Sequence, residues 1–457
     1  MAGNDVLRID EIRLQHFRCF EDAEFRLAPQ FTLVVGDNAS GKTALLRALV
    51  LGVGVCLADV PDADVPRMAY EDVRYRLHEV PGGAAFLEHA TGADVDCVGQ
   101  VYGVQSSWGN RIGVGTDDSV QVNGRTARGH TAGTPVRYTP ELGFGTGDAN
   151  LAGRPDELEM PVVVHYATGR LWERTVADGD AGVGPLPIGG RTQGYNGWPK
   201  AAASGDLLVR WWQRQALIAF HDSRMPPSVE AVKSAIATCV RGCTDARFDP
   251  RSDDIVFMLE DGLRQPFWML SDGYRNMVAM AADIAIRASL LNPHLGSEAA
   301  AKTPGIVLID EIDLHLHPKW QRTVVEDLRR TFPLVQFVAT THSPFIIQTM
   351  RPNEIIRLPD DSAPIDYSPG SVDDAIREVM GVEDHDWPPR KREMAKQAAE
   401  LLRVLRKRDG ITAEDEQLVT ERLDELLSLY SSDPAYCAML QVEAEAFRLR
   451  SQAGATR

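Results

Sequence analysis

One octapeptide, GDNASGKT (Gly36–Thr43), constrains this chain more than any other stretch. It follows the apolar run Phe31–Val35 and precedes a second apolar run, Ala44–Leu51. Every fixed position of the phosphate-loop pattern Gly-x-x-x-x-Gly-Lys-Ser/Thr is filled, and the flanks read as strand and helix, as the pattern requires. Gly36 and Gly41 let the backbone curl, so that N–H groups along Asp37, Asn38, Ala39 and Ser40 surround a triphosphate at a helix N-terminus. Lys42 is expected to reach the β- and γ-phosphates, and the Thr43 hydroxyl to hold a magnesium ion. The ligands this predicts are ATP and Mg2+. Lys42 is the only lysine in the first 199 residues.

With 457 residues, the chain calls for two or three packed regions. Its net charge of −17 opposes indiscriminate DNA binding while leaving room for a DNA contact through a local basic groove. The six cysteines are scattered, and Cys239 and Cys243 have no second pair, so reduced thiols are expected and a zinc site is not. The N-terminus lacks a basic-then-apolar signal, and no apolar stretch approaches the ~20 residues that span a bilayer. A soluble, cytoplasmic protein without a membrane partner is expected.

Residues 6–35 alternate like two or three strands, and 44–57 reads as a helix buried on most sides. From Pro81 to Lys200 glycine is dense between short β-branched runs such as PVVVHYA (161–167), which rules out a continuous coiled coil. Helices are predicted over 201–220 and 227–243, then a hairpin arm at IVFML (255–259). Apolar residues at three- and four-residue spacing from Met277 to Leu291 predict one long helix from Gly273, ended by Asn292-Pro293. GIVLID (305–310) and VQFVAT (335–340) read as buried parallel strands. A helix over 319–331 separates them, and PFIIQTM (344–350) starts another. Beyond Pro352, helices are predicted near 371–380, 391–408, 413–430 and 434–450. Leu418, Leu423, Leu426, Leu427 and Tyr430 form an apolar stripe. Arg403, Arg406, Lys407 and Arg408 read as a solvated face at a helix C-terminus.

Three further motifs carry chemistry. Asp310-Glu311 ends a buried strand: Asp310 would orient magnesium-bound water and Glu311 would polarise the attacking water as general base. Leu270-Ser271-Asp272-Gly273 opens the long helix and forms a second anion nest, suited to the nucleotide of another subunit. Taken alone it is also a capped helix, with Ser271 or Asp272 as cap. His342 follows a buried strand, where an imidazole could sense the γ-phosphate. His315 and His317 invite a metal reading, but alternate residues on a turn form a dimer-facing loop more simply.

In this order the motifs resemble the ATP-binding-cassette (ABC) ATPases, in the RecF/OLD/SMC branch rather than the transporter branch. IRLQHFRCFEDAEFRL before the phosphate loop and DEIDLHLHP (310–318) point the same way. The resemblance assigns Lys42 and Thr43 to Walker A, Asp310 and Glu311 to Walker B, Ser271 and Gly273 to the trans-acting signature, and His342 to the switch histidine. Asp272 and Tyr274 stand where transporters often have Gly and Gln. Gln100 and Gln105 lie in the glycine-rich region, and neither is assigned as a glutamine loop. The absence of heptads between Thr43 and Leu270 excludes long-armed SMC proteins, and a tail without a strand-tip carboxylate cluster fits Toprim-bearing nucleases poorly. PVVVHYATGRLW, the helix from SDGYRNM and the tail from SVDDAIREVMG look similar to the compact bacterial ATPases that include the Septu anti-phage ATPase subunit.

The fold this implies is α/β: an ABC-type P-loop ATPase head with a mixed or parallel sheet, a β- and Gly-rich insertion, a helical signature lobe and an α-helical C-terminal region. The expected division is 1–80 for the Walker A half, 81–200 for the insertion, 201–304 for the signature lobe, 305–352 for the Walker B half with the switch histidine, and 353–457 for a tail that docks a partner or supports a dimer. The resemblance further implies a homodimer or higher oligomer and an HNH-type nuclease subunit as partner, the chain itself not being a nuclease. Three readings follow: an ATPase that senses infection and regulates a partner nuclease, a RecF-like ATPase acting directly on DNA, and an ATP-locked scaffold with little turnover.

Overall fold

Strands with no polar face must be covered on both sides, and five segments of this chain meet that condition together. The computed structural model describes residues 6–58, 60, 63–78, 86–114, 120–121, 126–129, 136–139, 143–146, 159–169, 190–200, 205–358, 372–380, the positions 417, 419, 422, 423, 425 and 427, and 434–454. It divides into two units, Met1–Met380 and Gly381–Arg457.

In the first unit the strands are β1 (Leu7–Phe17), β2 (Phe20–Arg26), β3 (Phe31–Gly36), β4 (Tyr75–His78), β5 (Phe86–His89), β6 (Gly92–Val101) and β7 (Val104–Val114). Short strands β8 (Val120–Gln121), β9 (Thr126–Gly129), β10 (Val136–Thr139) and β11 (Gly143–Thr146) follow, then β12 (Val162–Tyr166). A small antiparallel sheet is made by β13 (Cys243–Asp249), β14 (Asp254–Leu259) and β15 (Arg264–Pro266). The last strands are β16 (Gly305–Ile309), β17 (Val335–Thr340) and β18 (Ile355–Leu358). The core sheet runs β12-β16-β17-β3-β18, parallel throughout. β16 and β17 are buried at every position, as strands covered on both faces must be.

A second, antiparallel sheet is ordered β2-β1-β6-β7-β8, with β9 also on β7. Helix α1 (Lys42–Cys56) is buried almost all round, and the Trp108 indole of β7 donates to its Gly52 carbonyl at 3.0 Å. Gln336 of β17, 2 % exposed, ties the two sheets together. Its amide accepts from Ile9 N–H (3.0 Å) and donates to the Ile9 (2.7 Å) and Ala28 (3.0 Å) carbonyls. A buried amide that makes all three bonds is stabilising, whereas leaving its partners unpaired is costly.

Helices α2 (Gly205–Asp222) and α3 (Pro227–Cys239) lead into the small sheet, and α4 (Asp272–Leu291) follows it. After α5 (Ala299–Lys302), the expected 319–331 helix is two pieces, α6 (Pro318–Gln321) and α7 (Val324–Thr331). The break falls at Thr323, whose φ/ψ of −130°/−16° leaves the helical basin and whose hydroxyl bonds back to Trp320 O instead. The expected 227–243 helix stops at Cys239 because Cys243 is already paired with Leu259 in β13. Ser343 caps only the short α8 (Pro344–Ile347), and 372–380 holds α9 (Val372–Asp374) followed by a π-helical turn.

Two boundaries drawn from composition shift. β6, β7 and β12 lie within 81–200, yet they pair with β1 and β16 in the two main sheets, so these strands belong to the head and not to a separate insertion. β18 lies beyond 352, yet it pairs with β3. In the second unit, α10 (Pro434–Gly454) buries Leu440, Ala444 and Phe447. Val419 and Leu423 are buried on the preceding segment, while 391–408 with its basic cluster, and Leu418, Leu426 and Tyr430, lie outside the described residues. No described helix is long and apolar enough to cross a membrane.

Gln336→Leu keeps the volume and removes the three bonds between the sheets. It should lower unfolding stability by about 2–3 kcal/mol, seen as a lower urea midpoint; a change under about 0.5 kcal/mol would show that the amide is dispensable.

Candidate nucleotide site

The loop after β3 has the backbone that its glycines permit. Gly41 sits at φ 107°, and a Cβ there would lie 2.7 Å from Cys19 Sγ and 2.8 Å from the Phe20 ring, so the β1–β2 turn closes over the loop only because residue 41 has no side chain. Ala39 takes φ 64°, a left-handed conformation that costs a non-glycine residue energy. Lys42 folds back, its ammonium donating to the carbonyls of Gly36 (2.8 Å) and Asp37 (2.7 Å). Burial pulls its pKa down, against the pull of Asp310, Asp37, Glu311 and Asp313. Ser40 Oγ is buried with no hydrogen-bond partner among the described residues, an orphan that a phosphate oxygen would satisfy.

Asp310, 6 % exposed, is bonded on three sides. Its carboxylate accepts from Thr43 Oγ1 (3.1 Å) and Thr340 Oγ1 (2.6 Å), and its N–H donates to the Tyr166 carbonyl (2.8 Å). Thr340 also accepts from Glu311 N–H at 2.8 Å, and Glu311 stands at φ 50°. A hydroxyl and a carboxylate at 3.1 Å are hard oxygen donors of the kind magnesium takes, so these residues fit the ion.

The switch segment is anchored by a residue that motif spacing did not single out. Asp313 Oδ1 accepts from Thr341 Oγ1 (2.5 Å) and from His342 N–H (3.4 Å), which holds His342 to the Walker B loop by its backbone. Thr340 and Thr341 were equally hidden, although ATTHSPF prints both just ahead of His342. The end of β12 contributes His165, whose Nδ1–H donates to the Pro199 carbonyl at 2.7 Å. Burial lowers its pKa despite that bond and the nearby Asp310 charge, so the ring is neutral at pH 7. Gln100 and Gln105 bond each other across the β6–β7 turn, in the antiparallel sheet.

Ser271 is the N-cap of α4 and accepts from Tyr274 N–H at 3.5 Å; it is exposed, Leu270 beside it is buried, and Asp272 pairs with Arg275. A Cβ on Gly273 would lie 2.6 Å from the His315 carbonyl oxygen, so glycine lets α4 meet the loop after Walker B. Asn276 donates to Leu314 O (3.1 Å), and the Tyr274 and Trp320 rings meet edge to face at 4.2 Å. His317 Nδ1 accepts from Lys319 N–H and caps α6, and among the described residues no group of three or more His, Cys, Asp and Glu is placed to hold a metal. Burial lifts the Cys239 and Cys243 thiols to about 12 and about 11.

Thr340→Val would strip a hydroxyl from both acidic residues at once. We expect it to fold and to weaken Mg2+-ATP binding by about tenfold, since one lost bond to a buried charge is worth about 1.5 kcal/mol or more. Isothermal titration giving wild-type affinity would remove Thr340 from the site.

Two family descriptions match: "AAA domain, putative AbiEii toxin, Type IV TA system" over residues 165–348, and "AAA domain" over 11–66. The chain is 38% identical over 126 residues to the "Retron Vc95 probable ATPase" of Vibrio cholerae, covering 28% of this chain and 24% of that protein. It is 51% identical over 81 residues to the "Retron Ec83 probable ATPase" of Escherichia coli (18% and 15%), and 27% identical over 194 residues to a "Septu protein PtuA" of Bacillus thuringiensis (39% and 48%). The matches thus span less than half of each of these relatives. Among solved structures, the SMC head domain from Thermotoga maritima is 16% identical at a TM-score of 0.40, covering 77% of this chain and 94% of that one. The sequence matches, read with the phosphate loop, the Asp310-Glu311 pair and the capped α4, make the chain similar to the retron and Septu ATPases over the matched residues.

Proposed function

We propose that this chain binds ATP with Mg2+ at Gly36–Thr43 and Asp310, hydrolyses it to ADP and phosphate with Glu311 as general base, and uses the cycle to regulate a partner nuclease in cytoplasmic anti-phage defence. The observation that carries the reading is the hydrogen-bond chain from Thr43 through Asp310 to Thr340 and Glu311. It joins the phosphate loop to the acidic pair across three strands. Lys42 leaves its carbonyl partners for the phosphates, and Thr43 with Asp310 holds the ion, which supplies charge neutralisation and orientation when bound. That neutralisation is needed, because one ammonium faces the four carboxylates of Asp37, Asp310, Glu311 and Asp313. A bare triphosphate would be repelled. Glu311 polarises the attacking water, and His342 contacts the γ-phosphate from the segment that Asp313 anchors.

Ser271–Gly273 completes the site of a second copy in a homodimer or higher oligomer. The defence role and the nuclease partner follow from the resemblance to Septu-type ATPases, a resemblance that the similarity to a Septu protein PtuA and to retron ATPases supports. A RecF-like role has narrower support: a RecF of Protochlamydia amoebophila is 41% identical over 59 residues, covering 12% of this chain. The net charge of −17 also disfavours a chain whose main ligand is DNA.

Lys42→Ala should abolish ATP binding, and EDTA should do the same to the wild type. Glu311→Gln should bind ATP as the wild type does while turnover falls about a hundredfold or more. Equal affinity in Lys42→Ala and wild type, by titration with a fluorescent ATP analogue, would sink the assignment. Mixing Lys42→Ala with Ser271→Arg chains should restore turnover through one intact composite site per heterodimer. No recovery, once subunit exchange is shown by mass, would argue for sites complete within one chain.

A further inference from the structure

Helix α4 packs through apolar side chains, with Ala279, Ala281, Ala282, Ala285 and Ala288 buried among the larger Met277, Met280, Ile284 and Leu291. Apolar packing excludes water but is non-directional, so it fixes the axial register of a helix less sharply than hydrogen bonds do. Polar side chains interrupt it. Asn276 donates to Leu314 O at 3.1 Å. Asp283 accepts from Tyr166 OH at 2.7 Å and from Arg287 Nε at 2.9 Å. Asn292, at the C-cap, accepts from Met160 N–H and donates to Met160 O, both at 2.8 Å. Asn276 and Asp283 are two helical turns apart and so share one side of α4.

Leaving α4, Asn276 reaches the loop after Asp310, while Asp283 and Asn292 reach β12 and its leading Met160. Tyr166 serves both directions. Its carbonyl accepts from Asp310 N–H at 2.8 Å, while its hydroxyl reaches Asp283. Arg287, which pairs Asp283 from within the helix, also donates to the Gly194 and Asn196 carbonyls at 2.9 Å each.

Stability does not account for this arrangement. A carboxylate–guanidinium pair as withdrawn from water as Asp283–Arg287, at 19% and 12% side-chain exposure, loses hydration that its attraction only about repays, and apolar replacements of such pairs are often as stable. The Tyr166 ring is fully buried, so phenylalanine would fill the same space. What the hydroxyl adds is direction: it locks one axial register of a helix otherwise held by non-directional apolar contacts.

We propose that Tyr166 is a positioning residue for hydrolysis, setting through Asp283 the register of α4 so that Ser271 and Asp310 move as one unit. This rests on the reading that Asp310 and Glu311 serve ATP turnover and that Ser271 answers to bound nucleotide.

The test is hydrogen–deuterium exchange on the full Glu311→Gln chain, with and without Mg2+-ATP, beside steady-state kinetics on chains that keep Glu311. In the parent, ATP should slow exchange over both 36–43 and 271–276. Adding Tyr166→Phe should keep the first effect and abolish the second. In kinetics, Tyr166→Phe should lower kcat about tenfold with KM within about twofold. Asp283→Asn should do the same, the double variant should fall no further, and it guards against a Tyr166 variant that fails to fold. Unchanged protection at 271–276 or a kcat within about twofold of wild type overturns the proposal. So does a loss of kcat that follows a lower melting temperature and is recovered on cooling, which assigns the hydroxyl to folding. A parent with neither turnover nor protection at 36–43 refutes the ATPase reading itself and takes this proposal with it. A parent protected at 36–43 but not at 271–276 refutes the coupling alone.

Discussion

A carboxylate kept from water must be surrounded by donors, and the architecture of this head can be traced from how Asp310 meets that demand. Its oxygens are held by hydroxyls from α1 and β17, and its N–H by the end of β12. Those partners arrive from different parts of the chain and converge only if the strands lie in the order β12-β16-β17-β3. A one-residue slip in any of them would turn its side chains to the opposite face and leave a buried charge without partners. The apolar strands supply the burial energy, but it is Asp310 that specifies their register.

Part of the backbone strain lies at the candidate site. Of the eight described non-glycine residues with positive φ, three are Ala39, Glu311 and His315, at 64°, 50° and 62°. Each costs about 1–3 kcal/mol and persists only where the surroundings over-determine it. Around Glu311 they do: its N–H is fixed by Thr340, and the following Ile312 N–H by the Thr340 carbonyl at 2.9 Å. The Glu311 backbone is thereby held by β17, the strand that also leads to His342.

What was legible in the sequence was local. GDNASGKT, the Asp310-Glu311 pair and the cap at Ser271 each declare themselves through adjacent residues, because loop, strand tip and helix start are short-range structures. The extent of α4 was readable for the same reason, its apolar spacing running from Met277 to Leu291. Partnership between distant segments was not. VVVHY is a plain apolar run, and nothing within it says that it lies beside GIVLI rather than in an insertion. Likewise β6 and β7 carry glycines that suggest loops, while their pairing with β1 is a tertiary fact. Thr340, Asp313 and Tyr166 escaped notice because their roles are hydrogen bonds across the sheet or to another element, invisible to a spacing rule.

The proposed function requires that a nucleotide site built within each chain be closed by a second copy. Native mass spectrometry of the Glu311→Gln chain in Mg2+ and ATP measures it directly, since each chain weighs 50.3 kDa and bound nucleotide is counted in the same spectrum. The predicted species carries two chains and two ATP molecules and reverts to single chains when the nucleotide is removed. A single chain that retains ATP as the dominant species, or a dimer indifferent to nucleotide, would contradict it.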